Sequence, residues 1–149
     1  MILATESLAD LYESDEIAWL ETMAELIAEG KSEELDYAHL QEFLTDMAIR
    51  EKREVKSRMT VLLMHLLKWT HQKRKRSSSW RTTIKEQSEE LADIFESRTL
   101  RNHADDVLPQ AYKRAVGRAS GDTGLPADTF PKKCPWTVEM LLSEDLLAE

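Results

Sequence analysis

Apolar residues at steps of three and four recur across residues 40–69 without an intervening glycine or proline. They are Leu40, Phe43/Leu44, Met47, Val55, Met59, Leu62/Leu63, Leu66 and Trp69, and Glu51 is the charged residue that falls on the same stripe. That spacing predicts one helix, capped by Asp36 and running to about Gln72. Leu35 and Leu40 flank the cap where a hydrophobic staple would hold the chain entry. At 1.5 Å per residue the helix is about 54 Å long. A compact domain of this chain length has a diameter of roughly 40 Å. The helix therefore either bends near residues 50–56, where Val55 is the one large apolar side chain, or projects and pairs with a partner, a second copy included.

The rest of the chain reads as helix as well. Residues 1–13 form an acidic lead-in with a helical turn near Leu8 and Tyr12. Ser14 or Asp15 caps a helix that ends at Gly30. It carries two apolar stripes, Ile17/Leu20/Ala24/Ile27 and Trp19/Met23/Leu26, which predict packing on more than one side. Residues 73–78 break the periodicity and read as a loop. Ser78 or Ser79 then caps a helix with Trp80, Ile84, Leu91 and Ile94/Phe95 on its apolar face. Ser97 starts the next helix, which Pro109 kinks or restarts; Tyr112, Ala115, Val116 and Ala119 carry it towards Gly121. Residues 120–135 are rich in loop signals. A short last helix follows Pro135, with Trp136, Met140 and Leu141 docking the tail. The fold class expected is all-α: one single-domain helical bundle over residues 1–149, of about five to six helices, with a long second helix.

Composition narrows the class. The first proline is Pro109, and only four prolines and four glycines occur in 149 residues. A β-sandwich or barrel needs a turn about every 8–12 residues and is not served by so few breakers. No apolar run approaches the ~18 residues that cross a bilayer, and the N-terminus lacks the basic start of a signal peptide. The single cysteine, Cys134, suits a reducing compartment, so a cytoplasmic location is expected. The net charge of −8 hides a partition. Residues 1–48 hold 13 acids and one base, residues 49–85 hold 12 bases and two acids, and residues 86–149 hold seven bases and 13 acids.

The contrast is sharpest across residues 59–81, where an apolar run gives way to Lys73-Arg74-Lys75-Arg76 and three serines. Lys73, Arg74, Lys75, Arg76 and Arg81 are the candidate residues for holding phosphate or an acidic partner, because clustered cations neutralise anions without needing a shaped cavity. Trp69 and Trp80 at the edges of this stretch could stack on unpaired bases, although both fall on apolar helical faces. His65, Lys68, Trp69 and Trp80 are the candidate polar core cluster, a knot where two helices meet. A di-iron bundle repeats its Glu-x-x-His motif on two helices; here Asp36-x-x-His39 stands alone, so no metal site is expected. Cys134 follows two lysines and precedes a helix start, features that lower a thiol pKa, but no base lies near it in sequence. No phosphate-binding glycine loop, nucleophile elbow or zinc-protease motif occurs, and no catalytic residue or cofactor is expected.

Several landmarks recur together. They are Tyr12, Asp15 and Trp19; Leu35-Asp36; His65-Leu66-Leu67-Lys68-Trp69 followed by Ser79-Trp80; Tyr112 and Ala115; and the tail Thr123-Gly124-Leu125, Phe130-Pro131, Cys134-Pro135-Trp136-Thr137 and Leu141-Leu142. In this combination the chain resembles a bacterial family, domain of unknown function 29, over nearly its whole length. It departs from the pattern at Thr70-His71-Gln72, where an aromatic residue and a proline are expected. The resemblance implies an almost wholly helical fold and no established activity, cofactor or active site.

Together these readings point to a non-catalytic interaction or assembly module. The long helix would pair with another copy or a protein partner, and the basic loop would meet an acidic surface such as residues 1–48 of a second chain. The alternative is a nucleic-acid-binding protein that uses the basic loop 68–85. Membrane association is not expected, since no stretch beside the loop has an apolar face free of the core.

Overall fold

A computed structural model describes residues 7–147; residues 1–6 of the acidic lead-in lie outside it. Among the described residues there are six α-helices and no strand, the all-helical fold that the periodicity predicts. No helix among them is long and apolar enough to cross a membrane.

Local chemistry accounts for most helix ends. The first helix, α1 (Leu8–Ser14), is capped by the Ser7 hydroxyl, which accepts from the Asp10 amide at 3.1 Å. In α2 (Glu16–Ala28) the Asp15 carboxylate does the same for the Ala18 amide at 3.1 Å. The far end of α2 closes in a Schellman turn. Gly30, at φ 74°, donates to Ile27 O at 3.1 Å, and Lys31 donates to Leu26 O at 2.9 Å. A left-handed residue is needed there, and glycine takes that conformation without a Cβ penalty. The expected long helix is α3 (Tyr37–His71), 35 residues without interruption and so about 52 Å long. Residues 50–56 are helical throughout, because their charged side chains can all reach water without giving up a backbone hydrogen bond.

The chain divides into two compact units, Met1–Ile49 and Arg50–Glu149, and α3 contributes a segment to each. The first unit is built on Leu11, Trp19 and Met23, with Tyr12, Leu40 and Phe43 packed around them. Of the two apolar stripes on α2, the one holding Trp19 and Met23 is buried. The other is exposed at its ends, Ile17 at 63% and Ile27 at 57%, while Leu20 packs on the same core. The expectation that α2 packs on more than one side is met at Leu20 and not at Ile17 or Ile27.

The second unit adds α4 (Ser78–Ile94), α5 (Arg98–Thr123) and the single-turn α6 (Val138–Leu141). Side-chain bonds give the helix directions. Arg58 donates to Gln87 at 3.2 Å while Arg81 reaches Trp69, so α4 runs back along α3. Lys56 bonds Gln110 at 3.1 Å and Lys68 bonds Asp122 at 3.3 Å, so α5 runs parallel to α3. The buried face of α5 is lined with Ala104, Ala111, Ala115 and Ala119, whose small side chains let a neighbouring helix approach closely. Pro109 does not restart α5, which continues through it. Pro109 is exposed, so water can take up the carbonyl whose bond it removes. The tail docks through Val138 and Leu141, whereas Met140, expected to dock, is 45% exposed. The start of α6 also lies later than expected, because Thr137 and not Pro135 caps it.

Candidate functional site

The basic stretch folds into the corner between α3 and α4. After His71 the chain makes one turn of 3-10 helix over Lys73–Lys75, and Ser77, one residue before the expected caps, accepts from the Trp80 amide at 3.2 Å to start α4. Trp69 is the centre of this corner and is 7% exposed. Arg76 is tied down on it twice. Its Nε donates to the Trp69 carbonyl at 2.9 Å, and its guanidinium lies 4.5 Å from the indole centroid. The Arg81 guanidinium sits 5.2 Å from the same ring. Such cation–π contacts contribute about 0.5–2 kcal/mol each and hold two like charges on one apolar plate.

The second tryptophan is engaged in the same way. Lys68 Nζ lies 4.8 Å over the Trp80 ring and 3.3 Å from the Asp122 carboxylate. Of the residues expected to form a polar cluster, Lys68, Trp69 and Trp80 thus gather at the corner with Arg81. His65 does not join them. Its Nδ1–H donates to Val61 O at 2.9 Å, one turn back on its own helix. Lys73, Arg74 and Lys75 are exposed on the 3-10 turn and Arg81 is exposed on α4. Trp69, Arg76, Ser77, Ser78 and Arg81 line a shallow cavity of about 340 Å³. The first turn of α4 carries no acidic residue. From residue 55 to residue 85 the sequence contains no Asp or Glu at all.

Cys134 has its own answer. Burial pushes its thiol up, outweighing the opposite pull of its bond to the Trp136 carbonyl at 3.3 Å. The lysines before it in sequence do not make it a thiolate. Among the described residues no three metal-ligating side chains converge.

One polar cluster escaped the sequence reading. Asp36, which caps α3 through the His39 amide at 3.3 Å, also accepts from His39 Nδ1 at 2.8 Å and from Trp19 Nε1 at 3.2 Å. Tyr12 stacks on His39 with centroids 4.4 Å apart and meets Trp19 edge-on at 4.7 Å. The Asp36-x-x-His39 spacing was its visible trace, but read for a metal it hid a carboxylate that ties α2 to α3. Burial raises the Asp36 carboxyl, and the bonds from His39 and Trp19 more than offset that, leaving it below its ordinary value. A carboxyl depressed in the folded state contributes stability above its ordinary pKa, and loses it as pH falls through the folded value. The first unit should therefore hold its stability down to about pH 4 and lose part of it below. Urea midpoints taken across that range should fall for the wild type and fall less steeply for Asp36→Asn; parallel curves would show that Asp36 does not carry the effect.

Comparison with known proteins gives one match. The family model for domain of unknown function DUF29 matches residues 11–147. No curated protein and no solved structure matches the chain.

Proposed function

This chain belongs to the DUF29 family, and within it we propose that the protein is a non-catalytic assembly module that pairs with a second copy of itself through α3. The observation that carries this reading is a bare seam on the long helix. Tyr37, Leu44 and Met47 have the spacing of coiled-coil core positions and are exposed, while Leu40 between them packs on the core of the first unit. Tyr37 is 58% exposed and Leu44 60%. Single exposed apolar residues are ordinary on a protein surface; a run at that spacing is a pairing face.

Charge selects the occupant. On the same helix Glu42 and Asp46 flank the seam, and Arg50, Lys52 and Arg53 follow it, all exposed. A second α3 laid antiparallel about a two-fold axis near residue 48 sets Glu42 and Asp46 of each copy beside Arg53 and Arg50 of the other and brings the two Met47 side chains together at the centre, and one such contact satisfies both copies at once. A parallel pair would place like against like. Burial of a leucine-sized side chain contributes about 1.5–3 kcal/mol, and each copy supplies its own set. The non-catalytic part of the reading rests on Cys134, whose thiol burial pushes up, and on His39, whose Nδ1 is committed to Asp36. A cytoplasmic setting fits the lone cysteine.

Light scattering after size exclusion should give a mass near twice 17.2 kDa. Arg50→Glu/Arg53→Glu and Glu42→Lys/Asp46→Lys should each be monomeric alone and dimeric when mixed. A wild-type monomer at the highest soluble concentration would sink the proposal. So would a mixture of the two variants that stays monomeric while both are folded.

A further inference from the structure

The α3–α4 corner concentrates positive charge that neither the core nor the pairing of α3 uses. We infer that this corner binds the phosphodiester backbone of duplex nucleic acid, without reading bases. The first ground is unopposed charge. Lys73, Arg74, Lys75, Arg81 and Lys85 are all exposed and among the described residues none of them forms an ion pair; Glu89 and Glu144 share a cavity with Arg81 and Lys85, and the 3-10 turn with Lys73, Arg74 and Lys75 lies away from that lining. Asp122 is already engaged, by Lys68. Like charges gathered in this way repel one another, and a polyanion relieves that repulsion by releasing its own condensed counterions. The net charge of −8 does not prevent it, because contact depends on the local field within a Debye length of about 8–10 Å.

The second ground decides which polyanion. Single-strand binders stack bases on exposed aromatic rings. Here Trp69 is buried and carries two guanidiniums, at 4.5 and 5.2 Å, and Trp80 carries Lys68 at 4.8 Å. A base could reach Trp69 only by displacing a cation, and Trp80 is half-buried with Lys68 over its ring. What the corner offers is therefore charge and the hydroxyls of Ser77 and Ser78 around its cavity, which suits phosphates alone. Duplexes have the higher phosphate density, so they are the better ligand. A membrane is disfavoured because it calls for an apolar anchor beside the cations. Among the described residues no large exposed apolar side chain lies between residues 50 and 139.

The test is fluorescence anisotropy of the full chain with a short mixed-sequence duplex and the corresponding single strand. Five phosphate contacts give a slope of about −4.5 in log affinity against log salt, so binding should weaken roughly 500-fold between about 50 and 200 mM salt. Lys73→Glu/Arg74→Glu/Lys75→Glu should abolish binding with an unchanged melting temperature, since among the described residues these exposed side chains have no hydrogen-bond or ion-pair partner. Arg50→Glu/Arg53→Glu should keep it, which separates this proposal from the pairing of α3. The proposal is overturned by no duplex binding at the lower salt, by a triple variant that still binds, or by a single strand that binds more tightly than the duplex. Anionic lipid vesicles bound in place of the duplex would overturn it too.

Discussion

Trp19→Ala should remove most of the stability of the first unit. Trp19 is fully buried and its indole N–H is bonded to Asp36 at 3.2 Å. Truncating a buried tryptophan costs about 3–5 kcal/mol through lost transfer energy and the cavity left behind. The unit Met1–Ile49 is small, and at about 0.05–0.15 kcal/mol per residue its whole stability is of order 2–7 kcal/mol. The loss is therefore comparable to everything the unit has. Trp19→Phe fills most of the volume and removes only the N–H, so its cost should be about 1–2 kcal/mol. Hydrogen exchange resolved by segment is the measurement. Protection over α1 and α2 should collapse in Trp19→Ala and persist in Trp19→Phe, while protection in α5 is kept in both. Equal loss in α5 would mean that the two units do not open separately.

Trp69→Ala is the corresponding test in the second unit, with a different outcome. Its core is larger, reaching from Val55 on α3 to Leu141 on α6, so a penalty of about 3–5 kcal/mol lowers stability without removing the fold. For a unit of this size each kcal/mol moves the melting temperature by about 4–8 °C, so a drop of roughly 12–40 °C is expected. The substitution also takes the plate from under Arg76 and Arg81. Trp69→Phe keeps an aromatic face and should recover most of both effects. A drop of only a few degrees in Trp69→Ala would show that the corner is stabilised elsewhere, for instance through the bond from Arg76 Nε to the backbone at residue 69, which the variant retains.

Chemistry in this protein follows the division into units. The first unit holds 13 acids against one base, a small aromatic core and the exposed apolar side chains of α2 and α3; the second holds the larger core and the basic corner. Glu51 lies close to the boundary, on the stripe that runs the length of α3, and it is exposed. The stripe is thus apolar and covered beyond residue 55, charged at Glu51, uncovered at Leu44 and Met47, and covered again at Leu40 and Phe43. A polar cluster inside the bundle around Glu51 does not form.

What the sequence determined by itself is what local physics determines. Helix periodicity, the caps at Asp15, Asp36 and Ser97, and the glycine that ends α2 all involve residues within about four positions of one another, and all were legible. So was the length of α3, since nothing in residues 37–71 breaks a helix. The family landmarks lie along most of the matched residues 11–147. What needed the tertiary structure is every choice between equivalent surfaces. Both stripes on α2 are apolar, and only the placing of α1 and α3 decides that Trp19 is inside and Ile17 outside. Trp69 reads as core before it reads as a stacking platform, but only the tertiary structure places Arg76 and Arg81 against its ring. His65 and Lys68 are three residues apart in one apolar run; one bonds its own helix and the other crosses to Asp122, 54 residues away. Such pairings are fixed by distance in space, and periodicity along a chain carries no record of them.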